Sequence, residues 1–135
     1  VLFNTPIAEE YLKLANQLEE LAYQYNDNPE ELKNPIAQGA DVNFYGGIHK
    51  QTPLNNAIWA GRLNKVGILL AAGANPLIKD SESNTALDQV LKGIEQEKRL
   101  QSQGYPGVTE KELRKLEDIK RLLEEAIEKQ STAAK

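Results

Sequence analysis

The stretch TPLNNAIWAGRLNKVGILLAAGANP, residues 52–76, carries two short helical patterns in succession. Gly61 ends the first pattern and Gly73 ends the second. Glycine is typical of such positions because it adopts the left-handed conformation that closes a helix C-terminus. Isolated helices this short are marginal in water. We therefore expect both helices to be stabilised by the segments on either side of them.

The same signals recur about one unit away along the chain. GADVN begins at Gly39 and GANPL begins at Gly73, 34 residues later. TPLNNAI begins at Thr52 and TALDQVL begins at Thr85, 33 residues later. Self-similarity with this period indicates a repeat architecture, in which each unit buries its apolar face against its neighbours. Each unit is predicted to contain a Thr-capped helix, a second helix, a glycine stop and a projecting loop.

Residues 39–90 resemble the ankyrin repeat. The resemblance rests on Thr52-Pro53-Leu54, Ala57, Gly61, Val66, Leu69-Leu70, Gly73-Ala74-Asn75 and the loop start Gly39-Ala40-Asp41-Val42-Asn43. It implies an all-α fold, an ankyrin-repeat solenoid of about three repeats with short projecting loops and a long C-terminal helix pair. Asn56 and Lys65 depart from the pattern, since the family usually has aliphatic residues there. Gly67 lies inside the second helix, where glycine costs about 1 kcal/mol relative to alanine.

The length of 135 residues suits one domain, which we expect to cover residues 1–135. Residues 1–51 are predicted to form an extended N-terminal helix, capped by Thr5, and a degenerate first repeat. The central repeat covers residues 52–84. A modified C-terminal capping repeat with an insertion covers residues 85–130, and a Thr109–Glu112 capping box begins its last helix. Residues 131–135 are predicted to be a frayed tail.

Composition argues against several classes of function. The chain has no cysteine, and His49 is its only histidine, so a zinc site or a Cys- or His-based nucleophilic site lacks its residues. No apolar run approaches the ~18 residues of a membrane span. The sequence has no cluster of Lys and Arg with interleaved aromatic residues, which is the pattern that would predict nucleic-acid binding. We therefore predict that the protein has no catalytic residues, cofactor or metal. We also predict that it binds neither a membrane nor a nucleic acid.

The charge is unevenly distributed. The net charge is −4, yet residues 1–41 carry eight acidic and only two basic side chains. This acidic segment favours either a basic partner or a solvated helix face. No signal peptide is recognisable, so we expect a cytoplasmic protein, although a chain that starts at Val1 leaves a removed targeting segment open.

In the resembled family, loop tips and first helices line a concave face that grips partner proteins. The resemblance therefore implies a non-catalytic module that binds another protein, and we expect it to be monomeric. Carried over by position, its binding residues are Ile48, His49 and Gln51 in the first loop, Trp59, Ala60 and Arg62 around the end of the central first helix, Ser81, Glu82 and Asn84 in the second loop, and Lys92 one unit after Trp59.

Two questions about aromatic residues stay open at this point. Trp59, the only tryptophan, either faces the groove as an interface anchor or packs over the neighbouring unit. Phe44 and Tyr45 either form a partner-contacting patch or fasten the longer first loop to the stack.

Two further functions also stay open. An inhibitor or immunity-type protein would occlude an enzyme with the same face. A structural module would dimerise through the C-terminal helix predicted over residues 109–130.

Overall fold

Six α-helices make up most of the chain in the computed structural model, which describes residues 6–24, 26–46, 50–105, 107 and 110–133. One isolated antiparallel bridge, between Gly46 and Gln51, is the only β-type pairing within these residues. The all-α prediction is thus confirmed for this part of the chain. The helices are α1 (Pro6–Tyr23), α2 (Glu30–Ala37), α3 (Pro53–Trp59), α4 (Leu63–Ala71), α5 (Ala86–Ser102) and α6 (Glu110–Ala133).

Two threonines begin helices as the sequence predicts. Thr52 Oγ1 accepts a hydrogen bond from the backbone N–H of Asn55 at 3.2 Å, which satisfies one of the free donors at the start of α3. Thr85 Oγ1 accepts from the N–H of Asp88 at 3.2 Å, and Asp88 Oδ2 accepts from the N–H of Thr85 at 3.0 Å. These reciprocal bonds fix the start of α5. The predicted caps at Thr5 and Thr109 lie outside the described residues.

The helices pack in sequential pairs, α1 with α2, α3 with α4, and α5 with α6. The short helix α3 also packs against both α1 and α5, and α4 packs against α6. One buried apolar cluster runs through all six helices, and burying each large aliphatic side chain contributes about 1.5–3 kcal/mol. Its most fully buried members include Leu18, Leu32, Leu54, Val66, Leu69, Val90, Ile119 and Leu123.

Two loops one unit apart have the same local geometry. Asp41 Oδ1 accepts from the N–H of Asn43, and Asn75 Oδ1 accepts from the N–H of Leu77, both at 2.9 Å. The glycines two residues before these side chains, Gly39 and Gly73, have φ of 97° and 98°. Asn43 also joins the two loops, because its Oδ1 accepts from the N–H of Asn75 at 2.6 Å.

A polar network joins the end of α1 to the start of α4. The residue before α4, Arg62, provides no side-chain cap. Asp27 supplies it from the loop after α1, since its two carboxylate oxygens accept from the N–H groups of Asn64 at 2.9 Å and Lys65 at 3.1 Å. In the other direction, Arg62 Nε donates to the carbonyl of Gln24 at 2.8 Å.

Lys65 is the largest fully buried side chain of the described residues. Its Nζ donates to the carbonyl of Leu21 at 2.5 Å and lies 3.5 Å from Glu31 Oε2. The last turn of α1 thus offers a carbonyl to the buried lysine, at a position where the ankyrin pattern usually has an aliphatic residue. Helix C-termini also carry partial negative charge, which favours a cation there.

The C-terminal helix is longer than the sequence predicts. α6 continues to Ala133, three residues beyond the expected end at residue 130. The first three residues of the predicted frayed tail are therefore helical, and residues 134 and 135 lie outside the described chain. No helix within the described residues has the length and apolarity needed to cross a bilayer.

Candidate functional site

A groove of about 770 Å³ lies between the end of α3, the loop of residues 80–84, α5 and the start of α6. Seven of the ten residues predicted as partner-binding line it, namely Gln51, Trp59, Ala60, Ser81, Glu82, Asn84 and Lys92. Arg62 is not among the lining residues and instead bonds to the end of α1. Ile48 and His49 lie outside the described residues, so their predicted role stays a prediction.

Trp59 stands at the wall of this groove with 68% of its surface exposed. Its ring stacks on that of Tyr23, at the end of α1, with ring centroids 5.5 Å apart and planes inclined by 19°. One face of the indole therefore packs on the neighbouring helix while the rest meets solvent. The structure combines features of both alternatives for Trp59. The sequence contains no local signal for the stacking, because Tyr23 lies 36 residues earlier.

The loop of residues 80–84 is organised around the carboxylate of Asp80. Its Oδ1 accepts from the N–H groups of Glu82 at 2.8 Å and Asn84 at 2.9 Å, and its Oδ2 accepts from Gln89 Nε2 at 2.7 Å. Partial burial by itself raises the pKa of Asp80, but these hydrogen bonds and the charge of Lys92 outweigh it, so the pKa lies below its ordinary value.

Asp80 was not predicted as a site residue. Aspartate at the start of a polar turn is nevertheless a recognisable signal, since its side chain commonly bonds to backbone N–H groups two residues on. By holding the loop, Asp80 sets the positions at which the predicted residues Ser81 and Glu82 meet solvent.

Three of the predicted polar residues are held by side-chain hydrogen bonds. Lys92 Nζ donates to Asn84 Oδ1 at 2.8 Å, which ties α5 to the loop. Gln51 Nε2 donates to Oδ1 of the buried Asn56 at 2.6 Å. Asn56, which like Lys65 departs from the ankyrin pattern, therefore holds the groove residue Gln51 from inside the core.

The aromatic pair of the first loop divides into one packed and one exposed residue. The ring of Phe44 packs edge-on against Tyr11 of α1, with centroids 6.1 Å apart and planes at 76°. Tyr11 Oη donates to Asp41 Oδ2 at 2.6 Å. That bond, together with burial and the charge of Asp41, raises the pKa of Tyr11. Phe44 thus fastens the loop to α1, whereas Tyr45 remains 45% exposed.

The described residues contain no cluster of three or more His, Cys, Asp or Glu side chains arranged to hold a metal ion. The groove is lined by the aromatic ring of Trp59 and by several charged side chains. Its lining includes Asp80, Glu82, Glu97 and Glu112 together with the two cations Lys92 and Lys115.

Comparison with known proteins gives partial similarities. No family model matches the chain. It is similar to the putative E3 ubiquitin-protein ligase XBAT34 of Arabidopsis thaliana, at 38% identity over 69 residues, which cover 50% of this chain and 18% of the ligase. It is also similar to the putative E3 ubiquitin-protein ligase XBAT35 of the same plant, at 42% identity over 57 residues, which cover 42% of this chain and 12% of the ligase. The matched segments thus span less than a fifth of either relative.

Proposed function

We propose that this chain is a non-catalytic interaction module that binds a segment of another protein in the groove beside Trp59. The observation that carries the proposal is the exposed indole at the groove wall, braced from behind by Tyr23. Tryptophan is enriched among the few residues that dominate binding energy at interfaces. A ring that is already held loses little conformational entropy when a partner covers it.

The proposed architecture is an ankyrin-repeat solenoid of about three repeats, with units at residues 1–51, 52–84 and 85–130. Three features support it. The central first helix α3 packs against its counterparts α1 and α5. Thr52 and Thr85 begin equivalent helices, and the Gly39 and Gly73 turns share one geometry. The partial similarity to segments of two much longer proteins also suits a module that recurs in different chains.

A binding role fits the ionisable groups of the groove better than catalysis does. A general acid or base works best when its pKa lies near the working pH. The pKa of Asp80 is instead shifted downward, away from neutrality, and its oxygens already accept three hydrogen bonds. The monomeric state and the cytoplasmic location expected from the sequence remain predictions.

A selection from a random 12-residue peptide library, displayed on phage and panned against the immobilised chain, tests this function. The affinity of each enriched peptide is then measured in solution by fluorescence anisotropy. Trp59→Ala is expected to weaken binding at least tenfold, since anchor residues typically contribute about 2 kcal/mol or more. Tyr105→Ala is the matched control, because Tyr105 is 57% exposed and does not line the groove.

Circular dichroism first establishes that both variants are folded. Equal affinities of a peptide for the parent and for Trp59→Ala would refute the proposal that the groove beside Trp59 is the binding site. For peptides that instead bind another face, either Tyr105→Ala alone weakens binding or neither variant does. Concentration-dependent self-association of the parent in sedimentation equilibrium would favour the dimerising alternative.

A further inference from the structure

We propose that the segment bound in the groove is basic, and that one of its Lys or Arg side chains lies over the open face of Trp59. This inference rests on the proposed function, because it names the chemistry of the partner for the same groove.

The charges that line the groove are predominantly negative. Four carboxylates, of Asp80, Glu82, Glu97 and Glu112, face two ammonium groups, of Lys92 and Lys115. The excess of two negative charges is concentrated in a concave surface. Concave surfaces lined by one sign of charge focus the potential and raise the local concentration of oppositely charged ligands.

The two cations are already engaged within the protein. Lys92 donates to Asn84 Oδ1 at 2.8 Å, and Lys115 pairs with Glu112 at 3.3 Å. Neither Glu82 nor Glu97 has an ion pair among the described residues. These two carboxylates are therefore the groups that a basic partner would neutralise.

The indole adds a second preference for a cation. Tyr23 covers one face of Trp59, which leaves the opposite face to a ligand. The face of an indole ring carries partial negative charge and attracts ammonium and guanidinium groups. An aliphatic side chain could cover the same area but would gain no attraction from the ring or from the carboxylates of the groove. An acidic segment would meet repulsion from both.

Panning the same random library in parallel on the parent and on the Glu82→Gln/Glu97→Gln variant tests the inference. Peptides enriched on the parent are expected to contain more Lys and Arg than the input library, and this excess should fall on the variant. The best basic peptide should bind the variant about threefold to tenfold more weakly, as expected for losing two solvent-exposed ion pairs. Its affinity for the parent should also fall as salt rises from 50 to 500 mM.

Glu95→Gln/Glu117→Gln is the matched control for total charge. It removes the same two negative charges from exposed positions on α5 and α6 that do not line the groove. The control should keep the parent affinity within about twofold, because salt screens distant charges. A second pair separates cation–π binding from apolar contact: Trp59→Phe should retain more affinity for the basic peptide than Trp59→Leu.

The outcomes separate this inference from the function beneath it. Peptides that require Trp59 but show no excess of Lys and Arg, or bind both double variants equally, would overturn the basic partner and leave the groove in place. A selection that yields no Trp59-dependent peptide would overturn both proposals.

Discussion

Replacing the buried Lys65 with methionine should strongly destabilise the fold. Methionine has nearly the same length, so Lys65→Met keeps most of the packing and removes only the amine. The amine donates to the carbonyl of Leu21 at 2.5 Å and lies 3.5 Å from Glu31 Oε2. In the variant, that carbonyl loses its charged donor inside a buried environment.

The magnitude follows from the two contacts. A hydrogen bond from a charged donor contributes about 1.5–3 kcal/mol. Breaking a fully buried ion pair by removing one partner costs about 3–5 kcal/mol. Glu31 Oε2 is itself buried, but its distance from the amine is a long 3.5 Å and the Glu31 side chain as a whole is 30% exposed, so the ion-pair contribution falls below that range. We expect the free energy of unfolding to fall by about 2–3 kcal/mol.

Urea denaturation followed by circular dichroism measures this change. With a slope of about 1–3 kcal/mol per molar urea, the midpoint should move down by about 0.7–3 M. Lys33→Met is the matched control. Lys33 pairs with Glu30 at 2.7 Å, a shorter distance, but both side chains are more than half exposed. Such surface pairs contribute about 0–1 kcal/mol, so the control should shift the midpoint little.

An unchanged or raised midpoint for Lys65→Met would refute the reasoning. It would mean that the desolvation of the lysine outweighs its two contacts, as happens for some buried ion pairs. Equal losses for Lys65→Met and Lys33→Met would also contradict it, because burial would then have no influence.

Three further predictions concern the same fold. Asp27→Ala should lower the free energy of unfolding by about 1–2 kcal/mol in urea denaturation, because α4 loses the cap on two of its first N–H groups; a change below 0.3 kcal/mol would contradict the cap. Gly67→Ala should raise stability by about 0.5–1 kcal/mol, since a Cβ there meets no atom within 4 Å, whereas Gly73→Ala, at φ 98°, should lower it. The folded-state pKa of Asp80 lies below its ordinary value of 3.8, so the ionised carboxylate stabilises the loop fully at pH values above 3.8. This contribution is lost as the pH falls through the folded-state pKa. Amide protection at Glu82 and Asn84, measured by hydrogen exchange relative to core amides, should fall over that window in the parent and show no such step in Asp80→Asn.

The sequence predicted those features that depend on neighbouring residues. A threonine followed by a helical pattern specifies its own cap, and both Thr52 and Thr85 make the expected bonds. A glycine at a helix end specifies a left-handed turn, and Gly73 adopts one. The period of 33–34 residues then identified equivalent positions. The resemblance to the ankyrin repeat placed seven of the ten implied partner-binding residues in the groove lining.

The features that the sequence did not predict are contacts between distant parts of the chain. No local pattern predicts that Asp27 caps a helix that begins 36 residues later. Lys65 was recognised only as a departure from an aliphatic position. The carbonyl that makes a buried lysine acceptable there belongs to Leu21, 44 residues earlier. Such partners are defined by packing, which no local pattern encodes.

The polar network and the proposed binding surface meet in the last turn of α1. Lys65 holds the carbonyl of Leu21, and Arg62 holds the carbonyl of Gln24. Tyr23 lies between Leu21 and Gln24 in sequence, and its ring stacks on that of Trp59. We therefore expect the position of the indole to depend on a buried lysine that does not line the groove. Lys65→Met should consequently weaken peptide binding even under conditions in which the variant is fully folded, whereas Lys33→Met should leave binding unchanged.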